Sequence, residues 1–493
     1  MAITIQQSPL YRTLPIGQDI IFAVSEDNIV ATELKVKFIA KVFISNNSSG
    51  LVSAANLRAT LKTTPNNAGA GMFNLRSILE SYISADNLAN GGINFVNSSY
   101  KEVEFSDDKE FPMHLIDKFS LSPNAIKWFR VQFGIEYEVS NVITVSPYFK
   151  TSSSFLIFNG YVSNEDTLIS SSGNYGYDLF GTDDGDFIQR SDTSKFLTNA
   201  PTTQYAQVTD YGTVAMFNLL NISTNSFETA PSSTSKNIYS IIIKLYNSAD
   251  AQLGSDIEVE NKGQFFPSTG GARIPSSYSN TKLLYFGCYP GNLNNWSTDW
   301  DTHKANVSYY TVQAFQRDPF AVDTAITQLY TINIISECKY EPIRLTWLNK
   351  LGTWDYYTFM KKSVRSIQTK GTTYTQLGGT WNESKFKIRG YKGGKKSFRV
   401  NAKESIRINT DFVNELESVW FEELMSSPEV YILNGYSLDK YESQTTISGI
   451  LNKYVQPVLL TSTDFIRKTR ANDKLIQYTF EIERNKDNRT QTV

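Results

Sequence analysis

Histidine and cysteine are nearly missing from this chain of 493 residues, which has two of each. A Ser-His-Asp arrangement would need His114 or His303 as its base, and no GxSxG elbow accompanies either. Cys288 and Cys338 are too few for a disulfide framework and read as buried free thiols. No GxxxxGK[ST] loop or dinucleotide fingerprint occurs, so no phosphate cradle is expected. No apolar run reaches the roughly 18 residues that cross a bilayer, so no membrane segment is expected. The opening MAITIQQSPLYRTLPIG has no basic stretch followed by an apolar one, so synthesis in the cytoplasm is expected. No sequence feature calls for a catalytic residue or a cofactor.

What is present is aromatic. Tyr, Phe and Trp make up 13% of the chain, against 19% charged residues, which favours strands and large contact faces over a disordered chain. The expected class is mainly β: several β-sandwich or barrel-like modules with a few short helices. A first module is expected over residues 1–148, with strands at Asp19–Val24, Leu34–Ile44, Asn56–Lys62 and Phe129–Val145. In the second of these, Val36, Phe38, Ala40 and Val42 alternate with Lys35, Lys37, Ile39 and Lys41, giving one buried and one mostly basic face. Phe73, Leu75, Ile78, Leu79 and Tyr82 have helical spacing. A second module, 149–335, opens on Ser- and Gly-rich stretches such as SSSGNYGYDLFG (Ser170 to Gly181) and then returns to strands.

The third module, 336–493, contains the segment CKYEPIRLTWLNKLGTWDYYTF (Cys338 to Phe359). Ile343, Leu345 and Trp347 share one face of an extended run. Asn349 to Gly352 suit a hairpin turn, and Trp354 to Phe359 return as a strand. Trp347, Trp354 and Tyr356 are therefore expected to form an aromatic platform for packing or docking, and are candidate interface residues. The same module is basic: Lys339 to Arg407 carries 16 Lys and Arg against 4 Asp and Glu, although the whole chain is at −2. Lys385, Lys387 and Arg389 alternate with Phe386 and Ile388 in an expected strand, and Lys392, Lys395, Lys396 and Arg399 continue the charge through YKGGKKS. These residues suit an acidic protein surface, with nucleic acid less favoured because aromatic interleaving is thin. A helix over 411–426, capped by Thr410 or Asp411, would bury Phe412, Val413, Leu416, Val419, Trp420 and Leu424.

Two acidic stretches suggest metals only weakly. TDWDTH (Thr298 to His303) offers Asp299, Asp301 and His303 on an expected loop, and GTDDGDF (Gly181 to Phe187) departs from the EF-hand pattern, so no metal site is assigned. Trp296 and Trp300, in the polar run GNLNNWSTDW, are the candidates for stacking on a sugar.

Taken in order, several landmarks resemble structural proteins of tailed bacteriophages, particularly those infecting Bacteroidetes or marine bacteria. They are TPNNAGAGMFNLRSILESYI (64–83), FLIFNGY (155–161), FLTNAPTTQYAQVTDYGTVAMFNL (196–219), LYFGCYPGNL (284–293), the Cys338–Phe359 segment, ELMSSPEVYIL (423–433) and PVLLTSTDFIRKTRANDKLIQYTFEIE (457–483). The resemblance implies a virion protein of the distal-tail, baseplate-hub or tail-ring type. Such a protein would form a six- or twelvefold homo-oligomeric ring with other tail or neck proteins. No catalytic motif carries over. The competing expectation is a receptor- or carbohydrate-binding surface protein.

Overall fold

The computed structural model describes residues 3–89, 112–161, 194–218, 220–221, 226–227, 237–261, 277–294, 296–317, 322–335, 339–380, 383–433, 455–462, 464, 466 and 476–485. The chain is mainly β, with several sheets and few short helices. It divides into two compact units. One is built from Met1–Ser336, the hairpin segment Leu348–Tyr356 and Gly435–Asn452; the other from Glu337–Trp347, Tyr357–Asn434 and Lys453–Val493.

The first unit begins with a sandwich. Thr4–Gln7, Ile21–Ser25 and Ala70–Asn74 form a three-stranded sheet. A larger sheet is built around Leu34–Ser45 and Ile126–Val139, which pair antiparallel in the register Phe38 to Ile135, Ala40 to Phe133 and Val42 to Val131. Phe22 and Phe73 of the small sheet meet Phe133 of the large one, with ring centroids 5.5 and 5.8 Å apart. Alternation buries Val36, Phe38, Ala40 and Val42 as expected, but Ile39 and Phe43 on the opposite face are buried too. Phe73 lies on a strand, and the helix is shorter than its spacing implied, Arg76–Glu80. The long strand expected over Phe129–Val145 is two, Ile126–Val139 and Val142–Val145. Ser140 and Asn141 turn the chain with positive φ, the conformation of a tight hairpin.

The boundary expected at 148 does not divide the structure. Lys150–Thr151 and Phe155–Phe158 pair with Ile126–Val139, and Phe119–Leu121 pairs with Leu283–Gly287, so both halves share sheets. A further sheet runs in the order Thr203–Ala206, Tyr330–Ile334, Tyr309–Arg317, Ser240–Tyr246, Gln252–Glu260. Cys288 is buried and is not in a disulfide. Cys338, the Ser170–Gly181 stretch and the GTDDGDF run lie outside the described residues.

The second unit is organised on strands ordered Ile343–Leu348, Val430–Leu433, Val455–Leu460, Thr479–Arg484, Gly394–Asn409, Val364–Gln376. Its helix is Glu415–Ser426. Asn414 is the cap, accepting from the Glu417 N–H while the Glu417 side chain accepts from the Asn414 N–H, so the helix starts later than Thr410 or Asp411 would place it. Trp420 and Leu424 are buried, Val413 is buried just before the helix, and Phe412 and Val419 face solvent.

Candidate functional site: a basic two-stranded arm

The strands Val364–Gln376 and Gly394–Asn409 run antiparallel from Val364 opposite Arg407 to Gln376 opposite Gly394. Of Gly394–Asn409, only Ser405–Asn409 pairs with Thr479–Arg484. Among the described residues, the ten or so residues of each strand beyond that point have only each other, forming a ribbon of about 30 Å at roughly 3.4 Å per residue. Most of its residues are exposed and none is buried.

The tip folds back on itself. Gly393, with φ of 94°, has the α-carbon of Gly378 where a side chain would begin, 2.7 Å away, so only glycine closes this turn. Thr380 holds the returning segment: its N–H donates to the Lys387 carbonyl at 3.1 Å, and its hydroxyl accepts from the Lys387 N–H at 3.0 Å. This clamp explains why Lys385 to Arg389 is not the strand that the alternation suggested. Alternation describes which side chains would share a face, but the backbone groups here are held by a loop.

Charge is distributed unevenly along the arm. At its base, cations have carboxylate partners within the unit: Arg365 with Glu341 (2.6 Å) and Glu404 (3.2 Å), Lys403 with Glu483 (2.7 Å), Arg407 with Glu481 (3.6 Å). Toward the tip, Lys370 to Asn401 includes eight Lys and Arg but one acid, Glu383, and that acid is engaged by Lys387 (3.1 Å) and Arg389 (3.8 Å). Lys370, Lys385, Lys392, Lys395, Lys396 and Arg399 have no carboxylate in ion-pair range among the described residues. Lys396 donates to the Tyr391 carbonyl and Arg399 to the Asn401 side chain, both neutral acceptors. The seven basic residues singled out from the sequence thus come together at one end of one arm. Large apolar groups lie bare among them: Ile388 is 85% exposed, Leu377 74%, Tyr391 72% and Phe386 69%. The aromatic interleaving that looked thin in sequence is supplied by Phe386, Tyr391 and Phe398. Sequence patterning missed the other strand, Val364–Gln376, because its polar, Thr-rich run lacks apolar alternation.

The aromatic platform is not on the surface. Trp347, Trp354 and Tyr356 are all buried. In the second unit Trp347 packs on Trp420, ring centroids 5.0 Å apart. In the first unit Trp354 lies edge-on to His114 at 4.7 Å, and the Tyr356 hydroxyl bonds His114 Nδ1 (3.0 Å) and Thr213 Oγ1 (2.9 Å). Burying these rings removes a large apolar area from water, and the polar tips of Trp354 and Tyr356 find internal partners. They form core, not a docking face.

Beside them is Asp86, fully buried. Its carboxylate accepts from Ser122 Oγ (2.5 Å) and from the N–H groups of Asn124 (2.7 Å) and Ala125 (3.1 Å). Burial raises its pKa to about 6 despite those bonds, and burial likewise lowers that of Lys127. The nearby cleft, lined by Gln204, Thr213, Tyr289 and Tyr356, has a volume of about 20 Å³, far below the usual range for a small-molecule site.

The sugar-stacking candidates are also occupied. Trp300 is fully buried, its indole N–H donating to Asn294 Oδ1 at 2.7 Å. Trp296 is partly buried, bonded to the Asp117 carbonyl at 3.0 Å and covered by the Lys118 ammonium 4.5 Å from its ring. The expected loop around them includes a short helix, Thr298–His303, capped by Ser297. There Asp299 accepts from the Ser255 N–H and Asp301 pairs with Lys304. Among the described residues, no three His, Cys, Asp or Glu side chains converge on a point that could hold a metal ion, and no helix is long and apolar enough to cross a membrane.

No family profile matches the sequence, and no curated protein matches it. Among solved structures, the alpha-2-macroglobulin of E. coli in its native conformation aligns at 7% identity with a TM-score of 0.18. The alignment covers 83% of this chain and 22% of that one, so this chain spans under a quarter of its length.

Proposed function

We infer that this chain is a structural subunit that assembles with copies of itself, as a ring or adaptor in a bacteriophage tail: at the tail tip, the baseplate hub or the neck. The observation that carries the assembly is the arm. A ribbon that leaves Ile388, Leu377 and Phe386 in water beside cations without carboxylate partners is a poor surface for a solitary protein and a suitable one for an interface. The tail assignment draws on the ordered sequence landmarks that resemble tailed-phage structural proteins. The β-rich architecture supports the same reading, since sheets offer broad, rigid faces for neighbouring subunits. The test is light scattering and negative-stain imaging of the purified full chain. Closed rings of six or twelve copies are expected. A chain that stays monomeric at about 100 μM and binds glycans would replace this reading with a receptor-binding one.

A further inference from the structure

The basic arm has a counterpart of opposite sign elsewhere in the chain. Gln252–Glu260 ends its sheet, pairing only with Ser240–Tyr246 among the described residues. It contains Asp256, Glu258 and Glu260 and no Lys or Arg. Asp250 lies in the turn before it with φ of 58°. The helix Thr298–His303 adds Asp299, whose Oδ1 accepts from the Ser255 N–H at 3.2 Å, and Asp301. Among the described residues, three cations meet this ridge: Lys244 at 3.2 Å from Asp256, Lys304 at 2.8 Å from Asp301, and Arg317 at 3.1 Å from Glu258. Arg317 also engages Asp323 at 2.7 Å, so carboxylates remain in excess.

We propose that the tip of the arm docks on this acidic ridge of a second copy. The inference rests on the reading of the chain as a self-assembling subunit and names the two surfaces that meet. Both are sheet edges with backbone groups to offer, one is basic and one acidic, and the near-neutral chain as a whole supplies the countercharge for its own arm in each further copy. The two surfaces differ, so the contact is head-to-tail, and it closes into a ring when the rotation between copies permits. Duplex DNA would answer the cations, but its phosphates would leave Leu377, Ile388 and Phe386 uncovered. A protein edge covers both kinds of group.

The experiment is charge reversal and charge exchange in the full chain, read by light scattering across a dilution series at about 0.05 M salt, where charges act over more than about 10 Å. One variant carries Lys392→Glu, Lys395→Glu and Lys396→Glu, a second Asp256→Lys and Asp301→Lys, and a third all five. Thermal unfolding verifies that each folds, as expected where none of the five side chains is buried. Each single-surface variant should shift the dissociation midpoint at least about tenfold toward monomer, and the five-fold variant should recover to within about threefold of wild type. A ridge variant that assembles like wild type, or a five-fold variant no better than either parent, overturns the contact and leaves the assembly reading standing. A wild-type chain that never assembles overturns both. If that monomer also binds a labelled 20-base-pair duplex through the arm, the arm is a nucleic-acid element instead.

Discussion

Trp354 donates its indole N–H to the backbone carbonyl of Asp86, 3.0 Å away and 268 positions earlier in the chain. This bond ties the hairpin segment Leu348–Tyr356 into the core of the first unit and places the Trp ring inside, where a surface platform was expected. Replacing Trp354 with Ala should cost about 3–5 kcal/mol, from the cavity and the orphaned carbonyl together. Trp354→Phe should cost less but still lower the urea midpoint, because it keeps the packing and loses the N–H. A Trp354→Ala chain of unchanged midpoint would show the ring to be peripheral.

Gly352 should be irreplaceable. Its φ is 80°, and a Cβ there would collide with the Asn159 carbonyl oxygen, a backbone atom that cannot swing aside. Asn349 holds the same turn, accepting from the N–H groups of Leu351 and Thr353, each at 3.0 Å. Gly352→Ala should give a chain that unfolds well below the wild-type temperature or is recovered mostly insoluble. Normal yield and melting temperature would contradict the turn geometry.

Asp86 should make the stability of the first unit depend on pH. Its pKa rises from 3.8 to about 6 on folding, so the folded state holds its proton more tightly than the unfolded chain. Its contribution is full below pH 4, declines between about pH 4 and 6, and is flat above. The whole decline amounts to about 3 kcal/mol. Asp86→Asn, which still accepts from the N–H groups of Asn124 and Ala125, should flatten that decline in unfolding measured from pH 4 to 7. An unchanged slope would place the titration elsewhere.

Trp420 is the anchor of the second unit's helix, 2% exposed and packed on Trp347. Trp420→Ala should cost about 3–5 kcal/mol in equilibrium unfolding. In the arm the contrast should be sharp: Ile388→Thr should alter stability by no more than about 0.5 kcal/mol, because the side chain is already in water. If both changes cost the same, the division between core and arm is wrong.

Much of the local structure is legible in the sequence. The period-two runs Leu34–Ile44 and Ile343–Trp347, the Asn-Lys-Leu-Gly turn and the clustering of Lys and Arg before residue 407 all follow from side-chain chemistry within a few residues. The β class follows from the same short-range preferences. The expected strand at Lys385–Arg389 failed because the backbone bonds of Thr380, not side-chain alternation, decide that segment. The Asn414 cap was missed because Thr410 and Asp411 carry the same capping chemistry four and three residues earlier.

By itself, the amino-acid order determined that the chain would form sheets, where the Asn-Lys-Leu-Gly turn would fall, and that positive charge would collect in one module. Only the tertiary structure decided which aromatic residues lie inside and which cations stay unanswered. Trp300, Trp347 and Trp354 use the same rings that an exposed platform would use, and burial depends on what distant segments cover them. Arg365 and Lys403 are neutralised by Glu341 and Glu483 from other segments, whereas Lys392 and Lys395 lie beyond the reach of any such partner among the described residues. Partners brought together by folding are remote along the chain, so no local pattern could distinguish the base of the arm from its tip.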